Sequence, residues 1–267
     1  MSATAFDRIA VRYDELWTET PIGRAQRAQV WRHIDELFQP GDRVLDIGCG
    51  TGADAAHLSA RGVSVHATDA SPAMIQAASA RGGFGASVLR AEDILPPETF
   101  DGVFSNFGAL NCVDDLPALA RKLAAIVRPG GSAAICTIGR FCAWETLYYA
   151  CRLQFDKAFR RFRGSAASSM GVTVHYPTVA QLRADFGPAF ELQTWTGIGL
   201  LVPPSYVALP SPLVRLSAIL DRFLASLPIL RAMADHRLLI FTWRGHSCLP
   251  RPDSSGRLVC PREPFGN

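Results

Sequence analysis

Apolar and polar positions along this chain alternate between two periods. Residues 43–47, 63–69, 100–106 and 132–138 are short apolar runs bounded by Gly, Pro, Asp or Ser, the pattern of buried strands. Between them, apolar side chains recur every three or four positions. Val30, Ile34, Leu37 and Phe38 form one stripe in a helix over 24–38. Leu116, Leu119, Leu123 and Ile126 form another over 114–127. Further helices are expected over 51–61 and 72–80. The second of these opens with Ser71-Pro72, an N-cap followed by proline in the first turn. A short strand is expected over 87–91, and Arg128-Pro129-Gly130-Gly131 is expected to be a sharp turn feeding the strand at 132. Strands alternating with helices force parallel pairing, with right-handed crossovers and helices on both sheet faces. A ligand crevice then opens at the carboxyl end of the first strand.

The pattern changes after Gly139. An aromatic, arginine-rich helix is expected over 144–162, then a mobile loop of small residues over 164–171. Residues 179–186 read as a helix and 190–196 as a strand. A proline-rich apolar stretch follows over 199–212, then a leucine-rich helix over 213–233 and a last strand over 236–243. At the start of the chain, Phe6, Ile9 and Tyr13 give residues 5–16 a short amphipathic helix. From residue 244 the chain turns polar and rich in Pro, Gly, Arg and Ser, and is expected to be disordered.

Composition narrows the class. At 267 residues, 48% of them hydrophobic and 19% charged, the chain is long enough for one large domain with a cap. A net charge of +3 without a basic run of five or more excludes an obvious nucleic-acid footprint. The seven cysteines are scattered and odd in number, which favours reduced thiols in a cytoplasmic protein. Cys248 and Cys260 share the polar tail, where a disulfide or metal site is the alternative to two free thiols. Asp7, Arg8, Arg12 and Asp14 interrupt any signal-peptide core, and no 18-residue apolar run is present, so no membrane span is expected.

The candidate chemistry lies where the first strand meets its helix. Val44 to Gly52 reads Val-Leu-Asp-Ile-Gly-Cys-Gly-Thr-Gly, with Gly48, Gly50 and Gly52 spaced G-x-G-x-G. Glycines there let backbone approach a ligand closely. A dinucleotide fingerprint would read G-x-G-x-x-G, and Asp46 would repel a pyrophosphate while suiting a ligand with a positive charge. Asp69 follows Gly48 by 21 positions, at the end of the second strand, where a carboxylate can accept both hydroxyls of a ribose.

These residues resemble the first motifs of the class I S-adenosylmethionine-dependent methyltransferases, and the small-molecule branch similar to the ubiquinone, menaquinone and natural-product enzymes in particular. The resemblance covers about residues 5–140 well. It implies a Rossmann-like α/β fold: a seven-stranded, mostly parallel sheet in the order 3-2-1-4-5-7-6 with an antiparallel seventh strand, helices on both faces and a helical cap. It divides the chain into N-terminal lid helices (1–40), a cofactor-binding core (41–140), a cap and acceptor region with the last two strands (141–243) and a disordered tail (244–267). It implies S-adenosyl-L-methionine as cofactor and S-adenosyl-L-homocysteine as product, with no metal.

Carried over by position, Asp46, Gly48, Gly50 and Gly52 would hold the methionine part. Asp69, with Ala70 beside it, would hold the ribose, and Met74 would pack on adenine. In the run Ala91-Glu92-Asp93-Ile94, Asp93 would bond the adenine amino group, next to Glu92, and Ile94 would flank the ring. Asn106 and Phe107 would lie beside the sulfonium, and Tyr13 in the lid over the cofactor. Asn106-Phe107-Gly108-Ala109 departs from the N/D-P-P-Y/F run of amino-directed enzymes, and Asp114 and Asp115 sit at a helix start rather than in a metal constellation. The implied acceptor is therefore a small hydrophobic or aromatic metabolite, methylated on oxygen or carbon. Phe141, Trp144, Tyr148, Tyr149, Phe155, Tyr206 and Leu209 are expected to line its pocket. His175 and Tyr176, after the small-residue loop, are the candidates for removing a proton. The alternatives are a macromolecular or carrier-bound acceptor, for which the Arg152, Arg160, Arg161, Arg163 cluster would be the docking patch, and a non-catalytic cofactor-binding protein. The expected state is a monomer or homodimer.

Overall fold

The computed structural model describes residues 6–95, 98–168, 171–187 and 189–245, and the backbone of 251–252 and 258–259. Its elements in chain order begin with the helix α1 (Ala10–Tyr13), which continues as a π-turn over Asp14–Thr18. Then follow α2 (Pro21–Leu37), β1 (Arg43–Ile47), α3 (Ala53–Ala60), β2 (Ser64–Asp69), α4 (Pro72–Arg81), β3 (Gly85–Val88), β4 (Phe100–Ser105), α5 (Leu116–Ile126) and β5 (Val127–Ile138). The second half contains α6 (Ala143–Ala150), α7 (Phe155–Ala158), β6 (Ser165–Ala167), β7 (Thr173–His175), α8 (Val179–Phe186), β8 (Phe190–Ile198), α9 (Ser211–Leu224) and β9 (His236–Trp243). A last pair, β10 (Arg251–Pro252) and β11 (Leu258–Val259), is antiparallel. Cys248, Cys260 and most of the tail expected to be disordered lie outside the described residues.

Seven strands make one sheet in the order β3-β2-β1-β4-β5-β9-β8. β1 pairs in parallel with β2 and β4, while β9 runs antiparallel to both β5 and β8. The Rossmann-like expectation and the inverted penultimate position of the last strand are therefore met. Strand side chains alternate between two cores, as the two-residue period of a strand requires. Leu45, Val103, Ala133, Ile135, Leu239 and Phe241 face α5 and α8, whose Leu119, Leu123, Leu182 and Phe186 are buried with them. Val44, Phe104, Ala134 and Leu238 face α2 and α3, against Val30, Ile34, Phe38 and Leu58. Each such fully buried Leu, Ile or Phe contributes roughly 1.5–3 kcal/mol of apolar transfer energy.

Four expectations are corrected. The helix expected over 144–162 breaks after Ala150: Leu153 takes a left-handed φ of 58°, and the Gln154 amide donates back to the Tyr149 carbonyl. That turn returns Arg160 and Arg161 to Glu145, an ion-pair cluster that outweighs the roughly 1–2 kcal/mol cost of the left-handed residue. The small-residue segment after Gly164 is no open loop, because β6 pairs with β7. The leucine-rich helix stops at Leu224, before Pro228, and only a 3-10 turn over Leu230–Met233 follows. The sharp turn expected over 128–131 lies inside β5 as a bulge, since Phe100 pairs with Val127 but Gly102 pairs with Ser132.

Candidate active site

The glycine loop is built for close contact on two sides. Gly48, Gly50 and Gly52 all have positive φ, at 70°, 55° and 77°. The Gly48 and Cys49 amides both donate to the Thr68 carbonyl, which fastens the loop to β2. A Cβ on Gly48 would come within 2.2 Å of the Ala109 Cβ, so the turn after β4 packs directly on the loop. A Cβ on Gly52 would meet Ala78 and Phe84, so the third glycine serves helix packing rather than the cavity.

A cleft opens at the carboxyl ends of β1, β2 and β4. Its floor is Ile47 to Thr51. One side is Asp69, Ala70 and Met74, continued by Leu89 and Ala91; the other is the 106–110 turn with Cys112. The N-terminal segment closes it with Phe6, Tyr13 and Trp17. Two acids latch that segment to the core. Asp7 accepts from the Ser71 hydroxyl and, at 3.2 Å, from the Ala73 amide. Asp14 accepts from the Thr51 hydroxyl at 2.6 Å and pairs with Arg81.

Asp69 is held in place by backbone. Its Oδ2 accepts from the Gly50 amide at 3.0 Å and its Oδ1 from the Ser71 amide at 2.8 Å. Burial raises the Asp69 carboxyl, and the Ser71 and Gly50 amides oppose that rise. Each oxygen keeps a lone pair for a ligand hydroxyl.

Beneath the lid lies a buried ion pair, Arg27 with Asp54, whose side chains are 8% and 6% exposed. Asp54 also accepts from Trp31 Nε1 at 2.7 Å and from Asn106 Nδ2 at 3.0 Å. The Arg27 guanidinium stacks 4.9 Å from the Trp17 ring and 5.2 Å from the Phe107 ring. Phe107 itself is strained, at φ 46°, and its amide donates to the Asn106 side chain. Burial raises the Tyr13 hydroxyl, with Arg27 pulling the other way. Burial likewise raises the Cys49 thiol, with Asp46 adding to it, so this wall thiol stays protonated.

Of the residues singled out by the sequence, Tyr13, Gly48, Gly50, Asp69, Ala70, Met74, Asn106 and Phe107 are brought to the cleft wall. Asp46, Gly52, Glu92, Asp93, Ile94, His175 and Tyr176 are not among the wall residues. The 3-10 turn Ala91–Asp93 explains three of them: Ile94 packs into the core beside α5, Asp93 points outward near Arg90, and Glu92 also meets Arg90. His175 Nε2 is drawn 2.9 Å from Asp114 on the surface. Tyr176 is buried against Arg161. The expected acceptor aromatics are also elsewhere: Tyr148, Tyr149 and Tyr206 pack on one another, and Leu209 joins Ile22, Val202 and Val214. Trp17, Arg27 and Asp54 were missed because helix position alone gives them an ordinary surface role.

The residues present suit a sulfonium nucleoside. Asp69 offers a carboxylate to a ribose, and three aromatic faces (Tyr13, Trp17, Phe107) attract a cation. Asp46, fully buried at the end of β1, has an Oδ2 without a hydrogen-bond partner. Burial, reinforced by Asp54, raises its carboxyl well above the ordinary range. A buried acid raised in this way destabilises the fold as pH climbs through its folded pKa and costs nothing below its unfolded pKa. Asp46→Asn is therefore expected to be more stable than the parent at pH 8, by about 1–3 kcal/mol. The gap should narrow as pH falls and close towards the unfolded value of 3.8; urea melts across pH 4–8 test this, and a pH-independent gap would rule out titration of Asp46. Among the described residues, no group of three or more His, Cys, Asp or Glu side chains is placed to hold a metal ion.

Comparison with known proteins adds sequence and fold likeness. A family model described as a methyltransferase domain matches residues 23–186. The demethylmenaquinone methyltransferase of Corynebacterium urealyticum is 35% identical over 138 residues, 50% of this chain and 57% of that protein. The demethylmenaquinone methyltransferase of Mycobacterium sp. (strain KMS) is 31% identical over 178 residues, 65% of this chain and 74% of that protein. Among solved structures, DhpI in complex with SAH superimposes with a TM-score of 0.57 at 17% identity, covering 91% of this chain and 95% of that one.

Proposed function

This chain belongs to the methyltransferase-domain family, and from that premise we propose that it moves a methyl group from S-adenosylmethionine to a ring carbon of a reduced, quinone-type aromatic small molecule. The observation that carries the proposal is Asp69, fixed by two backbone amides at the rim of a lidded cleft. The acceptor class is supported by the two demethylmenaquinone methyltransferases it is similar to.

When bound, the cofactor supplies a methyl group already activated on a sulfonium. The protein's part is alignment and exclusion of water. Asp69 would hold the ribose hydroxyls, and Ala70, Met74, Leu89 and Ala91, which line the same side of the cleft, would pack against the nucleoside. The glycine loop would give the methionine part room, and the buried Asp46 carboxyl, raised by burial, lies behind the cleft wall. Tyr13, Trp17 and Phe107, which line the cleft, would offer aromatic faces to the charged sulfur. The wall's acids are already engaged, Asp54 by Arg27, Trp31 and Asn106, and Asp69 by Gly50 and Ser71. A quinol fits that wall because its own ionised hydroxyl drives electrons onto the neighbouring carbon; the neutral methylated dienone formed on attack then tautomerises to the quinol once released, the carbon's proton ending on the ring oxygen. His175 and Tyr176 are not assigned that proton, since neither side chain lines the cleft. A docking patch for a carrier or macromolecule finds less support. Arg160 and Arg161 are committed to Glu145, and Arg163 to Asp156.

Asp69→Ala should weaken S-adenosylhomocysteine binding by about 1–3 kcal/mol, the worth of hydrogen bonds to a charged group. Calorimetric titration measures this, and unchanged affinity would remove the ribose assignment. Labelled methyl transfer to reduced 1,4-naphthoquinones, followed by mass spectrometry, tests the acceptor. Label found only in protein or carrier fractions would replace it, and cofactor binding without any transfer would favour a non-catalytic protein.

A further inference from the structure

The helix α9 presents three distinct faces. Val214, Ala218, Asp221 and Ala225 point inward. Asp221, 2% exposed, accepts from the Leu201 and Val202 amides and from the Gln29 side chain. Leu213, Leu216, Leu220 and Phe223 recur at i, i+3, i+7 and i+10 on the opposite side, and all are exposed, Phe223 at 69%. The apolar surface continues beyond the helix end through Leu227 and Ile229, the latter 79% exposed. Arg215 and Arg222 lie on the flank between these faces, in a groove whose other wall is α2 with Arg24 and Arg32.

Charge in this groove is one-sided. Among the described residues none of the four arginines makes a side-chain ion pair within 4 Å; Glu19 lines the same groove, and Glu36 neighbours Arg32 without closing on it. The only acid of α9 is turned into the core. Burial and the nearby Arg222 both act against the charge on Arg32, so the groove gains from an anion.

We propose that α9 and the arginine groove beside it dock this protein on an anionic phospholipid surface. The Leu213, Leu216, Leu220, Phe223 face enters the headgroup–acyl boundary, and Arg215, Arg222, Arg24 and Arg32 take lipid phosphates. Interfacial helices combine a large apolar face with a basic polar one in this way, and each surface arginine adds attraction to anionic lipid. A lipid surface accounts for both halves of the patch. A second copy of the chain docked two-fold across the same face would bring two unpaired arginine rows together. Among the described residues no helix is long and apolar enough to cross a membrane.

The test is flotation of the intact protein with vesicles of phosphatidylcholine alone and of phosphatidylcholine with phosphatidylglycerol. Binding is expected to the anionic vesicles, to fall in 0.5 M salt, and to drop roughly tenfold or more in Arg215→Glu/Arg222→Glu. Leu216→Ser/Phe223→Ser should lose it as well. Circular dichroism and S-adenosylhomocysteine titration confirm that both variants fold. Failure to float with either vesicle overturns the proposal, as does binding that both variants retain. A dimer in light scattering that Leu216→Ser/Phe223→Ser converts to monomer would also overturn it, by assigning the face to a second copy.

Discussion

Arg27→Met is expected to destabilise the protein by about 3–5 kcal/mol, the cost of leaving a buried charge without its partner. Asp54 would remain beneath the lid with only the neutral donors Trp31 and Asn106. Asp54→Leu should cost a similar amount from the other side, because the guanidinium would keep its aromatic stack on Trp17 and Phe107 but lose its counter-charge. The double variant Arg27→Met/Asp54→Leu should recover part of the loss, since an apolar pair replaces the ion pair, while the Trp31 and Asn106 donors still lose their acceptor. Urea denaturation of all four proteins measures the cycle. Single variants that each lose under about 1 kcal/mol would mean that the pair sits in water, which requires the lid to stand open in solution. The same pair joins the lid to the floor of the cleft, so its strength also sets how firmly Trp17 and Tyr13 stay closed.

The second large effect lies at Glu145 in α6. Glu145 is 1% exposed, yet it accepts from Arg160 at 2.9 and 3.0 Å, from Arg161 at 2.7 Å and from the Tyr206 hydroxyl at 3.0 Å. Arg161 reaches on to Asp235 at 2.7 Å, just before β9. This network ties α6 and Arg161 to the start of β9. Burial alone would raise the Glu145 carboxyl, but the hydrogen bonds from Arg161 and Arg160 outweigh it and hold it below the ordinary value of 4.5. A depressed folded pKa gives stability that is present above the unfolded value and lost as pH falls through the folded one. Glu145→Ala should therefore cost about 3–5 kcal/mol at pH 7. The difference from the parent should shrink progressively below about pH 4.5. Thermal melts from pH 3 to 7 check both parts. A cost that does not change with pH would mean that Glu145 acts through packing and not through its charge.

The elements that kept their expected bounds were legible because their signals are local. Ser71 caps α4 through the Met74 amide, with proline at the first turn, as its sequence predicts. β1 and β9 keep their expected bounds because alternate residues fill two cores. α8 keeps its bounds through a Thr178–Gln181 capping box. The glycine loop and Asp69 were legible too, since positive φ and a strand-end carboxylate are written within a few residues of each other. Sequence pattern located less of the cleft wall between Ala91 and Ile94, where a short 3-10 turn reassigned which side chain faces which way.

The alternation of strands and helices, the crevice at the end of β1 and its glycine floor follow from the sequence by itself, because periodicity and backbone freedom are properties of neighbouring residues; the order of strands came from the family resemblance and is met by the long-range pairing. Tertiary structure alone decided that Arg27 meets Asp54, that Glu145 gathers two arginines and a tyrosine, that the helix expected over 144–162 breaks before Leu153, and that His175 turns to Asp114 instead of the cleft. In each case the partners lie far apart in the chain or across a turn. The energy of a buried charge depends on what is brought beside it, and that is fixed only once the chain has closed on itself.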